Sequence, residues 1–225
     1  MQTLNEILVD RFTSQPRARA LRYLHHGTLD GPMETWSYGD LGQRVTAIAA
    51  ALQGRCAPGD RVLLVYPPGP DFVAGFFGCL LAGVIAVPSY PPDPSRLELS
   101  LERLVHVAAD CTPALVLTTA MVTSLAGAVG ESIGLLARIP WLATDTLDPD
   151  MGSAWVPAEV GPETLAFLQY TSGSTRHPAG VMVSHGNLVA NLRQQATVSG
   201  LGPDDSFCSW LPMFHDMGLI GPILF

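Results

Sequence analysis

Short apolar runs that alternate with helical patterns constrain this chain more than any other feature of its sequence. Residues 61–66 form a short apolar run, which is typical of a strand buried on both faces of a parallel sheet. Residues 71–82 have a helical pattern, and residues 84–87 form a second apolar run. This order predicts a βαβ unit. The apolar run over 72–87 is shorter than the roughly 20 residues that span a membrane, so we expect no membrane span.

The alternation continues on both sides of this unit. Further helices are predicted at residues 4–12, 37–53, 95–109 and 185–198, the last one capped by Ser184, and further strands at 114–118, 139–142, 165–170, 181–183 and 207–211. We expect residues 145–162 to be a surface loop. The pattern predicts an α/β fold of layered, mostly parallel sheets flanked by helices. We expect residues 1–160 to form a first α/β subdomain, and residues 161–225 to hold a phosphate-binding segment and the start of a second.

Composition excludes several classes of function. The chain has 225 residues and a net charge of -8, which argues against a nucleic-acid-binding protein. All basic residues besides histidine are Arg. This sequence therefore lacks the Lys that Schiff-base and Walker-type mechanisms need. The four cysteines lack the Cys-x-x-Cys spacing of a zinc site. We interpret them as reduced thiols of a cytoplasmic protein, and the first ten residues do not resemble a signal peptide.

The segment with the densest chemical signal is YTSGSTRHPAG, at residues 170–180. Hydroxyl side chains flank Gly173 on both sides, at Thr171, Ser172, Ser174 and Thr175. Backbone N–H groups beside a glycine and nearby hydroxyls can together surround a phosphate, and Arg176 adds a planar cation. A flexible linker has a similar composition, but predicted strands enter and leave this segment. The Walker, dinucleotide-binding and esterase-elbow patterns are absent.

Longer stretches around this segment resemble a known superfamily. LQYTSGST at residues 168–175, followed by PAGVMVSH at 178–185, resembles the phosphate-binding motif of adenylate-forming enzymes. WLPMFHDMG at 210–218 is similar to the next motif of that superfamily. GCLLAGVIAVPSYPP at 78–92 is similar to the fatty acyl-AMP ligase branch. The resemblance runs from Trp36 to the last residue.

The resemblance implies an enzyme that makes an acyl-adenylate from a fatty acid and ATP with Mg²⁺. It then passes the acyl group to an acyl carrier protein of a polyketide or peptide synthase. The phosphate-binding residues it implies are Thr171, Ser172, Gly173, Ser174, Thr175 and Arg176, and those lining the acyl-adenylate pocket are His215, Asp216 and Gly218. It implies no catalytic residue and no metal ligand here, because the family's magnesium-binding Glu and catalytic Lys lie further along the chain. These 225 residues are therefore expected to be inactive alone, as the front part of a longer protein.

Two departures and three alternatives qualify this interpretation. The superfamily usually has Gly at the position of Arg176 and Lys at that of Ala179. We hypothesise that Arg176 partly replaces the Lys, so that Arg176→Ala weakens ATP binding.

A fatty acyl-CoA synthetase is the nearest alternative, and a non-catalytic nucleotide- or acyl-binding module is the second. A purely structural domain would leave the hydroxyl-rich segment unexplained.

Overall fold

The computed structural model describes residues 3–171, 179–202 and 205–225. The helices are α1 (Leu4–Ser14), α2 (Tyr38–Gln53), α3 (Pro70–Ala82), α4 (Leu97–Cys111), α5 (Ala120–Val129), α6 (His185–Ser199) and α7 (Asp216–Ile220). The strands are β1 (Arg19–Leu24), β2 (Met33–Ser37), β3 (Arg61–Leu64), β4 (Ile85–Pro88), β5 (Leu115–Thr118), β6 (Trp141–Ala143), β7 (Leu165–Thr171) and β8 (Ala179–Ser184). Short 3-10 turns cover Pro94–Arg96, Gly130–Arg138, Thr144–Thr146 and Pro149–Ala154.

A six-stranded sheet in the order β6-β5-β3-β4-β7-β8 organises the chain. Its first five strands are parallel, and β8 pairs antiparallel with β7. The βαβ prediction is confirmed, because β3 and β4 are parallel neighbours with Arg61 opposite Ile85. The predicted α/β class with a mostly parallel sheet is confirmed as well. The carboxyl ends of the parallel strands share one edge, where α/β proteins bind their ligands.

The long apolar run is the centre of the hydrophobic core. Every position of α3 from Phe72 to Ala82 is buried, and Phe76 packs edge-on against Phe167 of β7 at 5.6 Å between ring centroids. Gly83 then ends the helix with a left-handed φ of 76°, a conformation that glycine adopts at little cost. Across the described ranges, the structure has no helix with both the length and the apolar character needed to cross a membrane.

Helix ends follow the capping residues that the sequence offers. Ser184 accepts from the backbone N–H of Asn187, and the Asn187 side chain accepts from the Ser184 N–H in return. This reciprocal pair is a capping box, and it confirms the predicted start of α6. Ser37 and Asp40 make the same arrangement at the start of α2.

Two sequence predictions need correction or refinement, and one hairpin was not predicted. Residues 207–211 are not a strand: they pair with no described strand, and Trp210 is 91% exposed. An apolar run forms a strand only where a neighbouring strand can bond its backbone. The hairpin of β1 and β2 was not predicted, because both strands are largely solvent-facing and lack apolar alternation. The predicted loop at 145–162 does lie at the surface, but the Trp155 indole N–H donates to the Leu81 carbonyl at 3.1 Å.

Candidate functional site

The predicted phosphate segment begins where β7 ends. Thr171 is the last residue of β7 and pairs with Ala179, the first residue of β8. β7 lies next to β4 in the parallel part of the sheet, so the chain leaves Thr171 at the carboxyl edge. Of the predicted phosphate-binding residues, only Thr171 is described. Ser172, Gly173, Ser174, Thr175 and Arg176 lie outside the described residues, and their role stays a prediction.

Tyr170 ties the end of β7 to helix α4. Its hydroxyl donates a hydrogen bond to the Asp110 carboxylate. Burial, and then this hydrogen bond, raise the pKa of the Tyr170 phenol well above its ordinary value, so it remains a neutral donor at physiological pH. On β8, Gly180 lies opposite, and a Cβ there would come within 3.0 Å of Tyr170 Cζ. The ring therefore packs where β8 has no side chain.

The second predicted motif reaches the same edge through Phe214. The Gln169 side-chain N–H donates to the Phe214 carbonyl at 3.3 Å. The centroid of the Phe214 ring lies 4.3 Å from that of Tyr90, two residues beyond β4. The guanidinium carbon of Arg103, on α4, lies 4.8 Å from the Tyr90 centroid. These contacts join β4, β7, α4 and the segment before α7.

His215 and Asp216 form a half-exposed pair at the start of α7. His215 Nδ1 is 2.6 Å from Asp216 Oδ1, and the Met217 N–H is 2.7 Å from that same oxygen but 3.3 Å from Nδ1. These distances fit a proton on Nδ1, donated to Asp216, with the Met217 N–H donated to the carboxylate. In the neutral imidazole, Nε2 is then the nitrogen that can accept a hydrogen bond.

Gly218 has a packing role in the structure. It is buried within α7, and a Cβ there would lie 2.8 Å from the Pro212 carbonyl carbon and closer still to the carbonyl oxygen. Only glycine lets the helix approach the preceding segment this closely. The predicted part of Gly218 in substrate binding stays a prediction, while its packing role places His215 and Asp216.

His185 is the first residue of α6 and is almost fully buried. Burial lowers the pKa of its imidazole to about 4, so the ring is neutral at physiological pH. Its Nδ1 is buried without a hydrogen-bond partner among the described residues. It is a core histidine. Over the same described ranges, no three His, Cys, Asp or Glu side chains are grouped closely enough to hold a metal ion.

Comparison with known families accounts for these features together. Residues 8–225 match the AMP-binding enzyme family. The chain belongs to that family. The predicted resemblance to adenylate-forming enzymes is thereby confirmed.

The chain is similar to several fatty-acid ligases. It is 35% identical, over 223 residues, to the medium-chain-fatty-acid–[acyl-carrier-protein] ligase JamA of Moorena producens, covering 99% of this chain and 37% of JamA. It is 38% identical to the long-chain-fatty-acid–AMP ligase FadD32 of Mycolicibacterium smegmatis, covering 91% of this chain and 32% of FadD32. A crystal structure of the fatty acyl-adenylate ligase from L. pneumophila, in complex with acyl adenylate and pyrophosphate, superposes with a TM-score of 0.87 at 38% identity.

The superposition with that structure covers 100% of this chain and 38% of the Legionella chain. The chain thus spans about a third of the length of the relatives it matches.

Sequence reasoning missed three residues whose contacts converge on Phe214 of the second predicted motif. Tyr90 lies in a proline-rich stretch whose composition alone suggests a stiff connector, Arg103 lies on the polar side of a helix, and Gln169 lies within a strand. Their common property is contact with Phe214 or with a neighbour of Phe214. The SYPP sequence within the stretch that resembles the ligases was the one signal that pointed to this place.

Proposed function

We propose that this chain is part of an ATP-dependent ligase that activates a fatty acid as its acyl-adenylate and releases pyrophosphate. The observation that carries the proposal is the likeness over the whole chain to the Legionella ligase solved with acyl adenylate and pyrophosphate. The names of JamA and FadD32 describe the same reaction class. The hydrogen bond from Gln169, near the end of β7, to the Phe214 carbonyl joins the two predicted motifs and supports the proposal.

The proposed reaction has two steps. An oxygen of the fatty-acid carboxylate attacks the α-phosphorus of ATP, an acyl C–O–P linkage forms, and the bond from that phosphorus to the bridging oxygen breaks with loss of pyrophosphate. Because the carboxylate is already ionised at neutral pH, the step needs no general base. The protein's contribution is to position the two anions and to neutralise their charge.

In this proposal, Thr171 and the residues that follow it hold the β- and γ-phosphates. His215 Nε2 and the turn before α7 line the acyl-adenylate pocket, with Asp216 fixing the orientation of the imidazole. Mg²⁺ would enter with ATP, held mainly by phosphate oxygens, water and one or two carboxylates, and it would neutralise phosphate charge. The described residues fit this only in part, since Asp216 is a carboxylate at the site but is already engaged by His215.

The second step transfers the acyl group to an acyl carrier protein. A thiol of the carrier loses its proton to solvent and attacks the acyl carbonyl, a thioester forms, and AMP leaves with the electrons of the broken C–O bond. JamA's name supports a carrier protein as acceptor.

We also propose a cytoplasmic location, which the four free cysteines favour. The division of the chain into two subdomains at residue 160 stays a proposal. Strand β7 follows residue 160 and pairs with strand β4, which precedes that residue.

The test uses the protein expressed from its complete reading frame. Exchange of radiolabelled pyrophosphate into ATP is measured with fatty acids of graded chain length, and without fatty acid as the control. Exchange that depends on fatty acid supports adenylation. ATP binding without exchange would indicate a non-catalytic module instead.

The acceptor is then tested with the adenylate formed on the enzyme. The enzyme is offered either a holo acyl carrier protein or coenzyme A, and the thioester product is identified by mass spectrometry. Acylated carrier protein without acyl-CoA supports the proposal. Rapid formation of acyl-CoA would identify the protein as a fatty acyl-CoA synthetase.

A further inference from the structure

These 225 residues contain no lysine, so a lysine cannot be the cation that they contribute to the phosphates of ATP. Arginine is therefore the only side chain with a permanent positive charge that these residues can supply. Several described arginines are already used elsewhere. Arg61 donates to the Cys111 and Thr112 carbonyls beside the amino end of β3, and Arg55 donates to the Ala51 carbonyl at the end of α2.

Arg103 differs from these in its position. Its guanidinium carbon lies over the ring of Tyr90, which contacts Phe214, the residue before His215. The helix that carries Arg103 is joined to β7 by the hydrogen bond between Tyr170 and Asp110. Two independent contacts thus hold α4 against the carboxyl edge of β4 and β7.

Arg103 is also uncompensated. The ion pairs found among the described residues are His25–Glu34 and His215–Asp216, and Arg103 has no carboxylate within 4.0 Å in those parts of the chain. It is half-buried. A cation held over Tyr90 without a counter-ion among the described residues, beside the segment that carries His215, is suited to bind an anion from outside the chain.

The position of a guanidinium over an aromatic ring suits phosphate in particular. A guanidinium lying over an aromatic ring uses its face for that contact, while its five N–H donors lie in the guanidinium plane. Those donors can bond two oxygens of one phosphate group at once. An ammonium group has no planar face to stack and no fork of donors.

We propose that Arg103 is a phosphate-binding residue of this site, positioned by Tyr90 to bond the phosphate chain of the nucleotide. The inference rests on the proposed function, and adds to it a residue outside both sequence motifs. It also gives the proline-rich stretch a purpose, since that stretch places Tyr90 under the guanidinium.

The test compares Arg103→Gln with the wild-type protein expressed from its complete reading frame. We expect the KM for ATP in pyrophosphate exchange to rise about tenfold or more, as for loss of a charge-assisted hydrogen bond, with the KM for fatty acid unchanged. Arg103→Lys keeps the charge without the planar fork and is expected to restore only part of the affinity. Arg193→Gln, at an exposed position of α6, makes the same change in net charge and is expected to leave both KM values unchanged.

Direct binding separates failure of this inference from failure of the proposed function. Calorimetry with ATP and with pyrophosphate alone is expected to show weaker binding of both to Arg103→Gln, whether or not a fatty acid is activated. Equal nucleotide affinity in Arg103→Gln and wild type, with matching thermal unfolding, would overturn the inference even if exchange is robust. An effect confined to transfer onto the carrier protein would also overturn it.

Discussion

Replacing Gly218 with Ala perturbs the start of α7 at one defined point. The new Cβ would lie 2.8 Å from the Pro212 carbonyl carbon and 3.2 Å from the Leu211 carbonyl carbon, with the Pro212 oxygen nearer than either. All three are backbone atoms, so no flexible side chain can move aside. Relief requires the chain before His215 to shift. Overpacking of this kind costs about 1–3 kcal/mol, and a loss of about 2 kcal/mol lowers the folding equilibrium constant about 30-fold.

Urea unfolding followed by tryptophan fluorescence measures this cost, and Gly127→Ala is the matched control. Gly127 lies in α5, where an added Cβ would meet no other atom within 4 Å, so alanine is expected to stabilise by about 0.5–1 kcal/mol through helix propensity. The two substitutions therefore have opposite expected signs. If Gly218→Ala shifts the urea midpoint upward as the control does, the close approach to Pro212 is wrong.

Three further predictions concern the core and the site. Tyr170→Phe removes the hydrogen bond to Asp110 and is expected to cost about 1–3 kcal/mol of unfolding free energy; unchanged urea midpoints would contradict this. His185 has a pKa lowered to about 4 from 6.5, so the unfolded chain binds its proton first and stability falls as pH drops from 6.5 towards 4. His185→Leu should flatten that fall in urea midpoints measured across this range. Exposed Cys208 should be alkylated before Cys79, whose thiol pKa is raised by burial; peptide mass spectrometry gives the order.

Local sequence patterns were sufficient for the elements with strong periodicity or clear capping residues. Helix α2, the buried strands β3 and β4, and the cap at Ser184 were all predicted close to their observed bounds. Each depends on interactions within a few residues or on burial of a whole apolar run. Such information is contained in the sequence of the element itself.

Predictions failed where backbone pairing between strands decided the structure. The apolar residues 207–211 looked like a strand, yet no described strand offers them backbone hydrogen bonds. The hairpin of β1 and β2 gave no apolar signal, yet its two strands satisfy each other's backbone groups. In both cases pairing, rather than hydropathy, determined the structure.

The sequence by itself determined the α/β class, the central βαβ unit and the family, because these follow from local periodicity and from contiguous motifs. Only the tertiary structure decided that Phe214 meets Tyr90, that Arg103 lies over the same ring, and that α4 is bonded to β7 through Tyr170. These contacts join residues separated by 13 to 124 positions in the chain. The physical reason is that side chains from separate elements meet only after the sheet has brought the carboxyl ends of its strands to one edge.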